Sequence, residues 1–382
     1  MTTRGSELAA HEDGVGQRTS PDYLALERLT KRFGTVTAVD HVTLTIGEGE
    51  FFALLGPSGC GKTTTLRLIA GLERPTEGRI LLCGRDITGL HPRERDVAMV
   101  FQDYALYPHM TLLDNIGYPL KVRRTPRKTL EARVREVADH LGIGHLLGRR
   151  PAQVSGGQQQ RAAVARALVH KPKVFLFDEP LSNLDAKLRL EARAFLKHLQ
   201  QEVGVTAIYV THDQAEAMAM ADRIAVMDQG RLIQVGTPFQ VYRQPSTTMV
   251  AGFVGNPPMN LIPCALERAS ESLLLVGEGF RLDVSPLQER VPIDVPTGEE
   301  LVLGVRPEHI NLSDTGGPHA IRGQVYAVQP LGAETLVTLR LGGTIASVRL
   351  FTDQPPSLTD QVWVRLDLNR LHIFRSSGDR LV

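Results

Sequence analysis

The sequence predicts an α/β domain built around a phosphate-binding loop, interrupted by a helical subdomain and followed by a small all-β barrel. Three observations predict it. The apolar run Phe51 to Leu55 reads as a strand and Thr64 to Ala70 as a helix, and between them lies Gly56-Pro57-Ser58-Gly59-Cys60-Gly61-Lys62-Thr63. Up to about Gly236, short apolar runs alternate with amphipathic stretches, the pattern of an α/β domain. Downstream of Pro263 the apolar residues follow period two: Val362, Val364, Leu366 and Leu368 alternate with Gln361, Trp363, Arg365 and Asp367, as in a half-buried strand.

At 382 residues the chain exceeds one ordinary core. Residues 1–21 are polar and without an apolar centre, so a disordered extension is expected rather than a signal peptide or membrane anchor. Residues 22–236 form the α/β domain, with strand-like runs at Val174 to Phe177, Ala207 to Val210 and Arg223 to Met227. A helical subdomain is expected at about 103–170, because Leu130, Val134, Val137 and Leu141 recur at helical spacing in a segment too long for a simple crossover. Residues 237–260 read as a linker punctuated by Pro238, Pro245, Pro257 and Pro258. Residues 261–382 read as a small β-barrel, from short apolar runs near Leu301, Ile321, Leu336 and Ile345.

Composition narrows the function. A formal net charge of +1 argues against a polyanion-binding surface. Cys60, Cys83 and Cys264 are odd in number and widely spaced, which fits a reducing compartment rather than a disulfide framework or zinc site. No apolar segment approaches the ~20 residues needed to cross a bilayer, so any membrane role must be borrowed from a partner.

Gly56, Gly59 and Gly61 let successive N–H groups and the positive end of the following helix wrap phosphates. Lys62 then reaches the β and γ phosphates and the Thr63 hydroxyl can ligate Mg²⁺, so ATP with Mg²⁺ is the implied ligand of the loop from Gly56 through Thr64, Pro57 and Ser58 included. For Cys60 two readings stand: a thiolate favoured by the helix dipole and Lys62, or an inert small filler. Asp178 and Glu179 end the run Val174 to Phe177, and adjacent strand residues point to opposite sides, so they are expected to divide the work. Asp178 would hold Mg²⁺, and Glu179 would orient and deprotonate the attacking water. Ser155 can cap the alanine-rich helix that runs to Leu168, leaving free N–H groups beside Gly156 and Gly157 as a second anion site; a simple cap with a glycine hinge is the other reading.

Val154 to Gln158 resembles the signature of ATP-binding-cassette proteins, with valine where leucine is usual. The resemblance implies that Ser155, Gly157 and Gln158 grip the γ-phosphate of ATP held by a second subunit, hence a homodimer. It also implies that Gln102 is the Q-loop residue sensing Mg²⁺ and water, Asp185 the D-loop aspartate, His212 the switch histidine on the γ-phosphate, and Phe33 the aromatic stacked on adenine. Glu94 to Gln102, Tyr104 to Met110 and Glu179 to Lys187 are similar to the ATPase subunits of bacterial carbohydrate importers, and Gly304 to His309 with Leu371 to Phe374 resemble their OB-type regulatory domain.

That branch implies two transmembrane permease subunits docked near Tyr104 to Met110, an extracytoplasmic solute-binding protein, a possible regulator at the C-terminal domain, and a peripheral position on the cytoplasmic face of the membrane. The expected cargo is a carbohydrate or polyol phosphate; polyamine and ferric-ion importers use similar cassettes and are the alternative. A soluble cassette acting on nucleic acid is more distant, since Phe280, Tyr326, Phe351, Trp363 and Phe374 are dispersed and lack a basic cluster for stacking bases, so no nucleic-acid partner is expected.

Overall fold

The structure, a computed structural model, describes residues 22–268, 272–317, 319–353 and 360–382. The extension expected over 1–21 lies outside them. The central layer is a six-stranded sheet in the order Arg231–Gly236, Arg223–Asp228, Phe51–Leu55, Thr206–Thr211, Val174–Asp178, Val97–Val100. All neighbours are parallel except the hairpin Arg223–Asp228 with Arg231–Gly236. Every residue of Phe51–Leu55, Val174–Asp178 and Thr206–Thr211 is buried, the signature of parallel strands covered on both faces. Their carboxyl ends carry the phosphate loop, Asp178-Glu179 and Thr211-His212 to one edge, where ligands of open α/β sheets bind.

A second, antiparallel sheet was not evident from the residues. Val36–Ile46, Leu24–Phe33, Glu77–Leu82 and Arg85–Asp86 pair in that order and share one core with Phe52 and Leu54 of the central sheet. Register shifts after Leu26 and Leu29 break the period-two alternation, so the strand pattern is blurred where the sheet bends.

The helical insertion consists of Leu112–Val122, Arg127–His140 and Gly156–Leu168. Val134 and Val137 are buried, Leu130 packs beside them, and Leu141 closes the second helix. Gly117 permits the close crossing, because a Cβ there would lie 2.8 Å from the Leu130 side chain. Residues 237–260 contain two short helices, Pro238–Arg243 and Thr248–Phe253, rather than extended chain. Pro238 occupies the first turn, where its missing N–H costs nothing, and Thr237 caps Gln240 N. Val241, Val250 and Val254 bury against Ala53, Leu55, Ile224 and Val226, which fixes this segment to the sheet.

The C-terminal domain is two five-stranded antiparallel sheets sharing one core. One orders Phe280–Asp283, Leu273–Gly277, Asn260–Arg268, Glu300–Val305, His372–Arg375; the other orders Ile310–Ser313, Gln361–Leu366, Ala320–Pro330, Thr335–Leu341, Thr344–Leu350. Val362, Val364 and Leu366 are buried as their alternation requires, while Leu368 falls in the short 3-10 turn that follows.

Candidate nucleotide-hydrolysis site

Glycine is enforced in the loop by the protein as well as by any phosphate. A Cβ on Gly56 would sit 2.2 Å from the Met227 carbonyl oxygen, and one on Gly61 2.3 Å from that of Ala38. Gly59 has open space around it, but its φ of 80° is one that side chains rarely adopt. The helix Lys62–Ala70 begins directly at Gly61, so its free N–H groups point into a cavity of about 220 Å³ lined by Ser58, Gly59, Gly61, Thr63, Thr64 and Glu179. Ala38 also lines it, a contact that no sequence signal marks. Lys62 is buried and its ammonium donates to the carbonyls of Gly56 (2.7 Å) and Pro57 (2.8 Å).

The Thr63 hydroxyl donates to Asp178 Oδ1 at 2.9 Å, joining the helix start to the strand end. Burial raises the Asp178 carboxyl above its ordinary value, opposed by the Thr63 hydrogen bond and by Arg67. Such a carboxylate gains from a nearby cation. The pair fits Mg²⁺, whose hard-oxygen shell is completed by phosphates and water rather than by a protein cage. Among the described residues no group of three or more His, Cys, Asp and Glu forms such a cage.

Glu179 does not obey strand alternation. The strand ends at Asp178 and Glu179 takes φ 47°, which turns its side chain to the same edge, where it lines the cavity while Asp178 holds Thr63. Glu179 Oε2 lies 2.9 Å from Nδ1 of the exposed His212. Behind His212, the buried Glu216 carboxylate accepts from Tyr209 (2.7 Å) and Thr211 (2.9 Å) and anchors the segment. Glu216 escaped sequence reasoning because a glutamate in a helix ordinarily faces solvent.

The other expected residues are dispersed. Gln102 is exposed after the strand Val97–Val100, and its carbonyl accepts from Asn183 Nδ2 at 3.0 Å, which ties it to the segment carrying Asp185. Asp185 caps the helix Ala186–Val203 through Leu188 N at 2.9 Å. Phe33 ends its strand 47% exposed, with Lys31 Nζ 4.6 Å over the ring. Ser155 and Gln158 form a reciprocal capping box on Gly156–Leu168, bordering a separate cavity of about 290 Å³. Among the described residues a Cβ on Gly157 would meet nothing within 4 Å, so none of their packing requires glycine there. Cys60 is 3% exposed, and burial pushes its thiol up despite the downward pull of Lys62; the thiolate reading gives way to the buried-filler reading.

The ABC transporter family profile matches residues 39–182, the MalK OB fold domain profile residues 255–310, and the TOBE domain profile residues 303–374. The chain is 49% identical over 366 residues to the trehalose/maltose import ATP-binding protein MalK of Thermococcus litoralis, covering 92% of this chain and 97% of that one. It is 44% identical to the sulfoquinovosyl glycerol transport ATP-binding protein SmoE of Agrobacterium fabrum, covering 94% and 99%. It is 45% identical to the sn-glycerol-3-phosphate import ATP-binding protein UgpC of Bordetella pertussis, covering 91% and 95%. A solved dimer of an ATP-binding cassette in a post-hydrolysis state with ADP and Pi superposes with a TM-score of 0.50 at 33% identity, covering 56% of this chain and 98% of that one. A phosphate loop facing Asp178 and Glu179, followed by the paired C-terminal sheets, places this chain in the ABC transporter family, as an ATPase subunit of the importer type with MalK-like OB and TOBE domains.

Proposed function

We propose that this ATPase drives uptake of a carbohydrate or polyol phosphate, working as a homodimer on the cytoplasmic face of the membrane beneath two permease subunits. The named relatives support the cargo class, since three of them are import or transport proteins for disaccharides, a sugar glycerol and glycerol phosphate. The solved cassette dimer supports the homodimer. Among the described residues no helix is long and apolar enough to cross a membrane, so permeation is assigned to other chains. A solute-binding protein outside completes the assembly, and the C-terminal domain is the place a regulator would act.

The observation that carries the mechanism is the contact between Glu179 and His212 at the rim of the phosphate-loop cavity. Glu179 accepts the proton of the attacking water, and His212 holds the carboxylate in line. Lys62 leaves the Gly56 and Pro57 carbonyls for the β and γ phosphates. Thr63 and Asp178, joined at 2.9 Å, would hold Mg²⁺, which would supply charge neutralisation on the phosphates. Phe33 stacks on adenine. Ser155, Gly157 and Gln158 close over the partner's ATP, Asp185 serves as the D-loop residue, and Gln102 relays closure toward the permease.

Uptake decides the cargo. In a strain lacking this chain, labelled uptake of one or more sugars or polyol phosphates is expected to fall to background, to return with the intact chain, and to stay lost with Lys62→Ala. A defect confined to polyamine or ferric iron would overturn the cargo class and leave the ATPase standing.

A further inference from the structure

A cavity of about 320 Å³ lies between the helix Pro238–Arg243 and the C-terminal domain, far in sequence from the phosphate loop. Arg243, Arg290, Arg306, Arg370 and Arg380 line it, with His309 and His372 between them, and among the described residues no aspartate or glutamate lines it. The whole chain is nearly neutral at +1, so this is a local concentration rather than a share of a basic surface. Among the described residues none of the five arginines makes an ion pair. Glu308 and Asp367 lie nearby, but Glu308 is engaged by the Tyr242 hydroxyl and Asp367 caps Asn369 N. Even with a carboxylate contributed at Val382, the wall remains strongly positive.

Behind the wall lie three buried nitrogens without a protein partner among the described residues. Arg306 is 1% exposed, yet among the described residues its Nε has no partner, and neither do His309 Nδ1 and His372 Nδ1. Buried polar atoms are rarely left so, which marks the layer just behind the arginines as loosely satisfied; the case for a ligand rests on the unpaired arginine wall itself. Burial together with Arg380, Arg306 and Arg290 pushes the His372 imidazole down to about 4, so it stands neutral beside these cations. Arginine forks and neutral imidazoles suit the oxygens of a phosphate, and the volume falls within the range of small-molecule sites rather than of a bare ion.

We propose that this cavity binds a small phosphomonoester as an effector of the ATPase. The wiring for an effect is direct. The Arg306 guanidinium stacks 4.0 Å over Tyr242 and donates to the carbonyls of Tyr242, Ala251 and Val254. Gln214, two residues after His212, in turn holds Phe253 O and Gly255 N. An occupant pulling on Arg306 thereby moves the segment that positions His212.

The test uses the full chain with its phosphate loop saturated by a non-hydrolysable ATP analogue, so that added phosphate cannot bind there. Calorimetric titration with glycerol phosphate is expected to show one saturable site per chain, weakened at least tenfold by Arg290→Gln with Arg380→Gln, both exposed positions whose replacement leaves basal ATPase unchanged. Glycerol should not bind, and inorganic phosphate should bind more weakly than the ester. In a separate assay without the analogue, the ester should alter ATP turnover in the wild type and not in the double variant. No saturable binding, binding equal in the variant, or preference for a dicarboxylate would overturn the site; binding without a change in turnover would overturn the effector role.

Discussion

Around the phosphate loop the reacting groups hold one another within a single chain: Lys62 on the Gly56 and Pro57 carbonyls, Thr63 on Asp178, Glu179 on His212. At the start of the helix Gly156–Leu168 the polar groups close on themselves, Ser155 with Gln158, while Gly157 faces open space. The first region is wired for chemistry through its own contacts. The second is a finished cap with a bare face, and no contact among the described residues requires glycine at 157, which leaves its backbone open to the approach proposed from a second subunit. The two regions are thus unlike, and if the second is the half-site proposed for the partner's ATP, damage to each should behave differently.

The largest effect should come from the wired half. Replacing Glu179 with Gln keeps its shape and its reach to His212 but removes the basic carboxylate, so turnover should fall by about 10²- to 10⁴-fold, the span of general-base contributions. Nucleotide binding should persist, because Lys62 and the loop are untouched. Phosphate release and nucleotide retention measured on one preparation separate the two. Unchanged hydrolysis would mean that Glu179 is only a strand-end carboxylate.

The bare half should respond in trans. Ser155→Arg puts a long cation where the partner's γ-phosphate is proposed to sit, and Lys62→Ala disables the loop of the chain that carries it. A mixed dimer of the two variants should contain one site with both defects and one with neither. Nucleotide trapping should recover up to half of the wild-type level per mixed dimer, against background for either variant alone. Absence of recovery, with mixed dimers demonstrated, would place Ser155 and Lys62 on the same nucleotide and erase the contrast between the halves.

The legible parts of this chain are those that local chemistry dictates. The loop Gly56 to Thr63 could be read because three glycines, a lysine and a threonine serve one ligand, and the helix Arg127–His140 because Val134, Val137 and Leu141 keep helical spacing. What escaped depends on geometry that spacing does not encode. The antiparallel sheet hides behind register shifts near Leu29, and the helices at 238–243 and 248–253 are too short for periodicity to accumulate. The orientation of Glu179 required a φ of 47°, a backbone choice invisible in the residue type. Glu216 mattered only because Tyr209 and Thr211 meet it in the interior. The arginine cavity draws on segments from 239 to 382, so no local window contains it.

The smallest effect sharpens how tightly the wired half is closed. Cys60 lies inside the phosphate loop, 3% exposed, with Lys62 Nζ 3.7 Å from its sulfur. Desolvation raises its thiol above the ordinary value and outweighs the opposing pull of Lys62, so at neutral pH it stays protonated and its reactive form gains only as pH climbs beyond the usual thiol range. Cys264 is buried too and pushed up to about 12, whereas Cys83 is exposed. Alkylation at pH 7.5 should therefore label Cys83 first and leave the other two nearly untouched. Nucleotide adds the discriminating step: drawing Lys62 onto phosphate removes the one cation that lowers the Cys60 thiol, so Mg-ATP should slow Cys60 further while leaving Cys83 unchanged. Site-resolved mass spectrometry reads both rates, and a Cys60 that is labelled as fast as Cys83, or is indifferent to nucleotide, would show that the loop opens more readily than its contacts imply.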